Sequence, residues 1–154
     1  MVKGVVVFDI DGTLLGGGCS DFDIEYSKNQ IRQLVATALK NDYGLAINTA
    51  RFKIGHKLQD YLYSVGVDLH KIPKDAIQLR SYTARKKAKA MSDIQEAYKL
   101  TNKRKLLFFD DKPENVDAVR GQGYDAALVT KSKDHGCLLI SDAERNYANK
   151  HFMI

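Results

Sequence analysis

The chain has 154 residues, of which 44% are hydrophobic and 28% charged, and its formal net charge is +5. This length and apolar content predict one globular domain over residues 1–154 and exclude a disordered chain or a small disulfide-stapled scaffold. The longest apolar runs cover only a few residues, which excludes a membrane-spanning helix, and the positive charge favours anionic partners only weakly.

Short apolar runs alternate with segments of helical periodicity along the chain, a pattern typical of α/β proteins with a mainly parallel sheet. Strands are predicted at about 4–9, 45–48, 76–79, 105–109 and 126–129. Helices are predicted at about 31–39, 54–65, 84–100 and 113–121, with a weaker one at about 142–150. In the first helix, the residues predicted to face the sheet are Ile31, Leu34, Val35, Ala38 and Leu39.

Two carboxylates follow the first predicted strand, in the sequence Asp9-Ile10-Asp11-Gly12-Thr13. Open α/β sheets bind ligands at the carboxyl ends of their strands, and residues i and i+2 of a strand share a face. We therefore expect the side chains of Asp9 and Asp11 to converge. Converging carboxylates repel each other unless a proton or a cation joins them, and hard oxygen ligands suit Mg²⁺. A simple Asp-Gly turn after a strand is the alternative.

Three later segments place polar side chains at the ends of other elements. Thr49 and Arg51 follow the second strand, and Asp110-Asp111 follows the strand at 105–109. Between them, a cationic run at 85–89 opens the third helix. Along the chain, the motifs follow in the order Asp-x-Asp-Gly-Thr, Thr, Lys and Asp-Asp. This ordered set resembles the haloacid dehalogenase (HAD) superfamily of phosphohydrolases, and the resemblance covers nearly the whole chain.

The resemblance implies a three-layer α/β/α sandwich of the HAD fold and a Mg²⁺-dependent phosphomonoester hydrolase. Asp9 would be the nucleophile that forms an aspartyl-phosphate, and Asp11 would be the general acid and base. Thr49 would donate its hydroxyl to a phosphoryl oxygen. The metal would be held by Asp9, by the backbone carbonyl of Asp11, and by the pair Asp110 and Asp111, with Asp111 favoured as the direct ligand.

The lysine that offsets charge in the transition state could be Lys86, Lys87 or Lys89. Helical spacing favours Lys87, because residues three, four and seven positions after it are apolar; these are Ala90, Met91 and Ile94. Lys89 would then lie on the substrate rim or on the solvated surface.

Three further assignments stay open at this stage. Arg51 either faces the mouth of the pocket and contacts the substrate or forms a surface salt bridge. Asn115 either orients the Asp110-Asp111 pair or is an ordinary first-turn residue of its helix. Thr49 is either the phosphate ligand or a strand-end residue that caps a turn.

The intervals between these motifs are too short for a separate cap domain. About thirty residues separate Thr13 from the second strand, and fewer than forty separate Thr49 from the cationic run. Domains seldom have fewer than ~50 residues. A lid would have to come from the stretch 16–27, predicted as a glycine-rich loop, or from a second subunit, and the sequence does not predict the oligomeric state.

Capless members of the superfamily often act on phosphate groups of macromolecules, and the chain resembles the phosphatase half of phage polynucleotide kinase–phosphatases. The leading substrate prediction is therefore a terminal phosphate of a nucleic acid. It is supported by the cations predicted to line one approach to the nucleophile, which are Arg80, Arg85, Lys86 and Lys89.

Other substrates and functions remain as alternatives. Small phosphomonoesters, such as nucleotides or sugar phosphates, and phosphoproteins are the alternative substrates. The non-enzyme alternative is a phospho-accepting or degenerate HAD-like binding module. A receiver domain also uses an Asp as phosphoacceptor, but it would not need a second Asp two residues later, followed by Gly-Thr.

Two cysteines, Cys19 and Cys137, lack the number and spacing of a disulfide framework or a metal site. Their scarcity fits a reducing compartment. The first predicted strand begins at about residue 4, which leaves no room for a signal peptide. The sequence therefore predicts a cytoplasmic protein without membrane association.

Overall fold

The computed structural model describes residues 1–15, 21–131, 138–139 and 149–152. Its centre is a five-stranded parallel sheet with helices on both sides, which confirms the predicted three-layer α/β/α architecture. The strands are β1 (Gly4–Phe8), β2 (Tyr43–Asn48), β3 (Ile77–Gln78), β4 (Leu106–Asp110) and β5 (Asp125–Leu128). The helices are α1 (Asp21–Lys40), α2 (His56–Ser64), α3 (Ala84–Ala97) and α4 (Pro113–Gly121), with short 3-10 helices at Leu69–Lys71, Lys74–Ala76 and Lys103–Lys105.

The strands lie in the order β3-β2-β1-β4-β5, which places β1 in the centre of the sheet. Val6 of β1 lies opposite Leu45 of β2 on one side and Leu107 of β4 on the other. The chain runs outward from β1 through β2 to β3, and then returns to the other side of β1 for β4 and β5. Ligands bind to open α/β sheets at such a reversal, outside the carboxyl ends of the strands.

Every residue of β1 and β4 is buried, which explains the uninterrupted apolar sequences of the two strands. Near their carboxyl ends, Phe8 and Phe109 stack with ring centroids 5.7 Å apart. Helix α3 contributes Met91 and Ile94 to the same core, and both are fully buried. These apolar contacts hold the strand ends to which the acidic residues are attached.

Two element boundaries differ from the sequence prediction by three residues or more. Helix α1 begins at Asp21, so residues 21–27 of the predicted loop are helical. Helix α3 ends at Ala97 and not at about residue 100, because Lys99 adopts a left-handed conformation with a φ of 57°. A two-stranded antiparallel ladder of β6 (Thr130–Lys131) and β7 (Leu138–Leu139) follows β5 and was not predicted.

Leu39 was predicted to face the sheet but is 51% exposed. At 3.6 residues per turn, it projects roughly 90° away from the centre of the stripe formed by the other four predicted residues. Those four residues are buried; they are Ile31, Leu34, Val35 and Ala38.

Several predictions lie outside the described residues. They concern the glycines at 16–18, both cysteines and residues 142–148 of the predicted terminal helix, although residues 149–152 are helical. Between β1 and α3, none of the described residues forms a cap domain. Within the described ranges, no helix combines the length and the apolar character needed to cross a membrane.

The exposed position of Leu39 can be tested by comparison with Leu34, which is only 6% exposed on the same helix. Leu34→Ala should lower the free energy of unfolding by about 2–5 kcal/mol, because it leaves a cavity in the core. Leu39→Ala should change it by about 0.5 kcal/mol or less, as is usual for surface positions. Chemical denaturation of the two variants and the wild type measures both values. Equal losses would contradict the described orientation of α1.

Candidate active site

The predicted polar residues of three strands meet at the carboxyl edge of the sheet. Asp9 directly follows β1, and its backbone N–H donates to the carbonyl of Phe109 at 3.0 Å. Thr49 follows β2, while Asp110 ends β4 and Asp111 comes next. Since β1 lies between β2 and β4, Asp9 is at the centre of this edge.

Lys87 reaches this edge from the first turn of α3 and is buried. Its Nζ donates to Asp9 Oδ1 at 2.7 Å and to the carbonyl of Asn48 at 2.6 Å, and lies 3.7 Å from Asp110 Oδ2. A buried ammonium is tolerated only when it is paired and hydrogen-bonded, and these contacts meet that requirement. Lys86 and Lys89 are exposed. The structure thus brings Lys87, among the three candidate lysines, to Asp9.

Two buried polar residues that were not among the predicted site residues hold the start of α3 against β2. Asn48 Nδ2 donates to the carbonyl of Lys87 at 3.0 Å, and Ser81 Oγ donates to Asn48 Oδ1 at 2.7 Å. The backbone N–H of Ser81 also donates to the carbonyl of Thr49 at 3.0 Å. One signal for them was available in the sequence, since a polar Asn at the end of an apolar strand must find hydrogen-bond partners when buried.

Three carboxylates cluster beside the Lys87 ammonium. Asp9, Asp110 and Asp111 each offer an oxygen within 4.8 Å of the others. Asp110 is held in place, because its Oδ1 accepts from the backbone N–H of Lys112 at 2.9 Å and its Oδ2 from Asn115 Nδ2 at 3.1 Å. Asn115 therefore orients Asp110, which is the first of the two alternatives given for this residue in the sequence analysis.

Asp111 differs from Asp110 in having a buried oxygen, Oδ1, without a hydrogen-bond partner among the described residues. Leaving such an oxygen unsatisfied costs about 1–3 kcal/mol or more. A cation placed among the three carboxylates would satisfy it, and an all-oxygen donor set is the kind that Mg²⁺ prefers. The residues present therefore fit a divalent metal ion, with Asp111 as the carboxylate that still needs a partner.

Burial raises the pKa of Asp9 to about 7 from its ordinary value of 3.8. The Lys87 ammonium opposes this rise, whereas the neighbouring carboxylates of Asp110 and Asp111 add to it. Burial also raises the pKa of Asp110, against the hydrogen bond from Lys112 and the charge of Lys87. A cation bound beside these two carboxyl groups would favour their ionised forms.

The Asp11 carboxylate is not one of the three in this cluster, although Asp9 and Asp11 line the same cleft, so the convergence of their side chains stays a prediction. Strand β1 ends at Phe8, and the alternation of side chains that places i and i+2 together does not continue through the turn. Instead, Asp11 is exposed and accepts from Arg51 Nε at 2.9 Å and from Arg51 Nη2 at 2.8 Å. The predicted metal contact of Asp11 through its backbone carbonyl stays a prediction.

The remaining predicted residues lie in different positions around the cleft. Arg51 forms the Asp11 salt bridge, and this hydrogen bonding raises the pKa of the guanidinium. Thr49 is fully buried, and its Oγ1 accepts from the backbone N–H of Arg51 at 3.2 Å. The next residue, Ala50, lines the cleft, and the predicted donation from Thr49 to a phosphoryl oxygen stays a prediction. Lys89 lines a neighbouring groove, and its predicted contact with the substrate stays a prediction.

The cleft over the acidic cluster has a volume of about 290 Å³, and Lys87, Tyr82 and Thr83 form part of its wall. A larger groove of about 960 Å³ runs between α3 and α4, and Thr83 also lines this groove. Thr83 is common to both linings, so the cleft and the groove are neighbours at this residue.

No protein-family model and no curated protein matches the chain. Solved structures share its fold at low sequence identity. An uncharacterised protein from Corynebacterium glutamicum is 19% identical with a TM-score of 0.62, over 99% of this chain and 96% of that one. The core domain of a candidate phosphoglycolate phosphatase from Streptococcus pneumoniae is 22% identical with a TM-score of 0.58, over 96% of each chain.

A third neighbour is the cobalt-bound form of the deoxy-D-mannose-octulosonate 8-phosphate phosphatase from Haemophilus influenzae. It is 15% identical with a TM-score of 0.59, over 99% of this chain and 88% of that one. The resemblance predicted from the sequence motifs is thereby confirmed at the level of architecture: the chain has the haloacid dehalogenase fold.

Gly12 is required where the chain turns away from β1. Its φ is +84°, and a Cβ at this position would lie 2.5 Å from Asp111 Cγ. Gly12→Ala should lower the free energy of unfolding by about 1–2 kcal/mol and displace the Asp111 carboxylate, so that Mg²⁺ binds more weakly. Gly121→Ala is the matched control, because a Cβ there meets open space. Denaturation and calorimetric Mg²⁺ titration measure both effects, and unchanged Mg²⁺ affinity in Gly12→Ala would contradict the described packing of Asp111.

The raised pKa of Asp9 predicts how stability depends on pH without metal. Between pH 3.8 and about 7, Asp9 is protonated in the folded protein but ionised in the unfolded chain, so the folded state binds more protons. In a chelating buffer, the wild type should therefore lose stability relative to Asp9→Asn as the pH rises through this window. Above about 7 the difference should be constant. Denaturation at a series of pH values measures it, and a gain of stability across the window would contradict the assignment.

Proposed function

We propose that the protein is a Mg²⁺-dependent phosphomonoester hydrolase that acts through an aspartyl-phosphate on Asp9. The observation that carries the proposal is the placement of Asp9 between the Lys87 ammonium and the acidic pair, where Asp111 Oδ1 lacks a partner. The phosphatase names of two structural neighbours support the same reaction class.

In this proposal, the Asp9 carboxylate attacks phosphorus and the ester oxygen leaves, which gives an aspartyl-phosphate and an alcohol. Asp11 protonates the departing oxygen and later accepts a proton from the water that hydrolyses the acyl phosphate. The Lys87 ammonium compensates the negative charge that builds up on the phosphoryl oxygens. A Mg²⁺ held by Asp9, Asp110 and Asp111 would neutralise the carboxylates and polarise the phosphoryl group.

The salt bridge between Asp11 and Arg51 gives Arg51 a part in this sequence of steps. A paired Asp11 is not free to contact the departing oxygen, because both of its carboxylate oxygens accept from Arg51. The phosphate of an entering substrate is also an anion that a guanidinium binds in the same bidentate way. Competition for Arg51 would therefore release Asp11 when the substrate arrives.

Turnover of a generic phosphomonoester tests the reaction. The wild type should be active with Mg²⁺ and inactive with a chelator, and added Mg²⁺ should restore activity. Asp9→Asn should lower kcat by more than about 10³-fold, because the amide cannot serve as the nucleophile. Asp60→Asn, which changes an exposed carboxylate on α2, is the control and should retain full activity. Full activity in Asp9→Asn would contradict the assignment of Asp9 as the nucleophile. Absence of turnover by the wild type would favour a binding module.

We further propose a nucleic-acid terminal phosphate as the substrate. Three of the four predicted cations line the groove that shares Thr83 with the cleft; they are Arg85, Lys86 and Lys89. Arg80 lies elsewhere, beside the ring of Phe52. A groove of this charge suits the phosphates next to the terminal one, and binding there would release counterions.

The value of kcat/KM for a phosphate-ended oligonucleotide should therefore exceed that for the matching mononucleotide, and the advantage should shrink as salt rises. Replacing Arg85 and Lys89 together by Ala should make the slope of log kcat/KM against log salt shallower by about two for the oligonucleotide only. Lys40→Ala with Lys71→Ala removes the same charge from other exposed positions and is the control. Equal values for the oligomer and the monomer at all salt concentrations would instead support a small-molecule phosphatase.

A further inference from the structure

Two large aromatic side chains are exposed beside the cleft. Phe52 is 66% exposed and Tyr82 is 55% exposed, and their ring centroids lie 6.2 Å apart. Single exposed apolar side chains are common, but two in contact at the mouth of a cleft form a patch that can bind a ligand. Tyr82 lines the cleft together with Asp9 and Lys87.

Each ring lies next to a cation. The guanidinium carbon of Arg80 is 5.6 Å from the centroid of the Phe52 ring, and Lys86 Nζ is 3.9 Å from that of the Tyr82 ring. Both distances are within the range of cation–π contacts. Phe52 and Tyr82 keep these exposed fractions with Arg80 and Lys86 beside them, so part of each ring remains accessible to a ligand. The patch therefore combines open aromatic surface with positive charge.

The backbone around the patch is tied to the catalytic edge of the sheet. Arg80 adopts a φ of 64°, which is uncommon for a residue with a side chain, and its N–H donates to the carbonyl of Arg51 at 2.9 Å. The next residue, Ser81, donates to the carbonyl of Thr49 and to the side chain of Asn48. The segments that carry Phe52 and Tyr82 are thus joined to each other and to the residues that hold Lys87.

The geometry points to a nucleobase platform: we propose that Phe52 and Tyr82 stack on the base of the substrate nucleotide while its phosphate lies at Asp9. Arg80 and Lys86 would then face the neighbouring phosphates or the polar edges of the base. Proteins that hold single-stranded nucleic acid use this combination of stacking aromatic rings and flanking cations. The role as a substrate subsite depends on the proposed phosphatase function, whereas the binding of a base can be measured without turnover.

The experiment compares ligands that differ only in the base. Adenosine 5′-monophosphate and the base-free ribose 5-phosphate are titrated calorimetrically into the Asp9→Asn protein, which cannot turn them over. The nucleotide should bind between about 5- and 150-fold more tightly than ribose 5-phosphate, the range expected for one stacked base.

Variants of the platform should remove this preference selectively. Phe52→Ala with Tyr82→Ala should bring the nucleotide affinity down to that of ribose 5-phosphate, and Tyr82→Phe should retain the preference. Tyr63→Ala removes another exposed ring, 69% exposed on α2, and is the control that should bind as the parent does. Since these side chains are exposed, thermal melting should show that all the variants stay folded.

Equal affinities for the nucleotide and ribose 5-phosphate would overturn the platform, as would a preference that survives the double replacement. Either result can occur while the wild type still hydrolyses phosphomonoesters, in which case only the platform fails. Conversely, a base preference in a protein without turnover would retain the platform and reject the hydrolase.

Discussion

The buried contact between Lys87 Nζ and Asp9 Oδ1 is the interaction on which the rest of the site depends. Removing an ammonium and a carboxylate from water costs several kcal/mol for each ion, so the pair is tolerated only when further hydrogen bonds complete it. The carbonyl and the side chain of Asn48 do so, because one accepts from Lys87 Nζ and the other donates to the Lys87 carbonyl. The same contacts join α3, β1 and β2 at the point where the strand order reverses.

This pair also determines the charge balance around it. Asp9 and Asp110 both approach the ammonium, and Asp111 clusters with them. Burial, with a contribution from the neighbouring carboxylates, raises the pKa of Asp9 to about 7, and Asp111 Oδ1 has no hydrogen-bond donor among the described residues. Both observations support a metal ion in the proposed reaction.

Much of the fold could be predicted because apolar runs and helical periods depend on local sequence alone. Helical spacing favoured Lys87 over its two neighbours for the same reason. The error at Leu39 arose because this residue lies beside the buried stripe and not within it. The contact of Asp11 with Arg51 could not be predicted from strand alternation, because Asp11 follows the end of β1 and Arg51 is 40 residues away in the chain. The partners of Asn48 are 33 and 39 residues away in the chain, so no short pattern could have identified them.

The most direct test of the account is to find where a phosphoryl group is bound during turnover. Asp11→Asn should accept the group but hydrolyse it slowly, because the acid and base is absent. The variant is mixed with a phosphomonoester and Mg²⁺ and the reaction is quenched in acid. Borohydride then reduces any aspartyl-phosphate to homoserine, and mass spectrometry identifies the modified residue. The account predicts reduction at Asp9 and its absence when Asp9 is also changed to Asn. Reduction at Asp110 or Asp111, or hydrolysis by the wild type without any modification at Asp9 in the trapped variant, would contradict it.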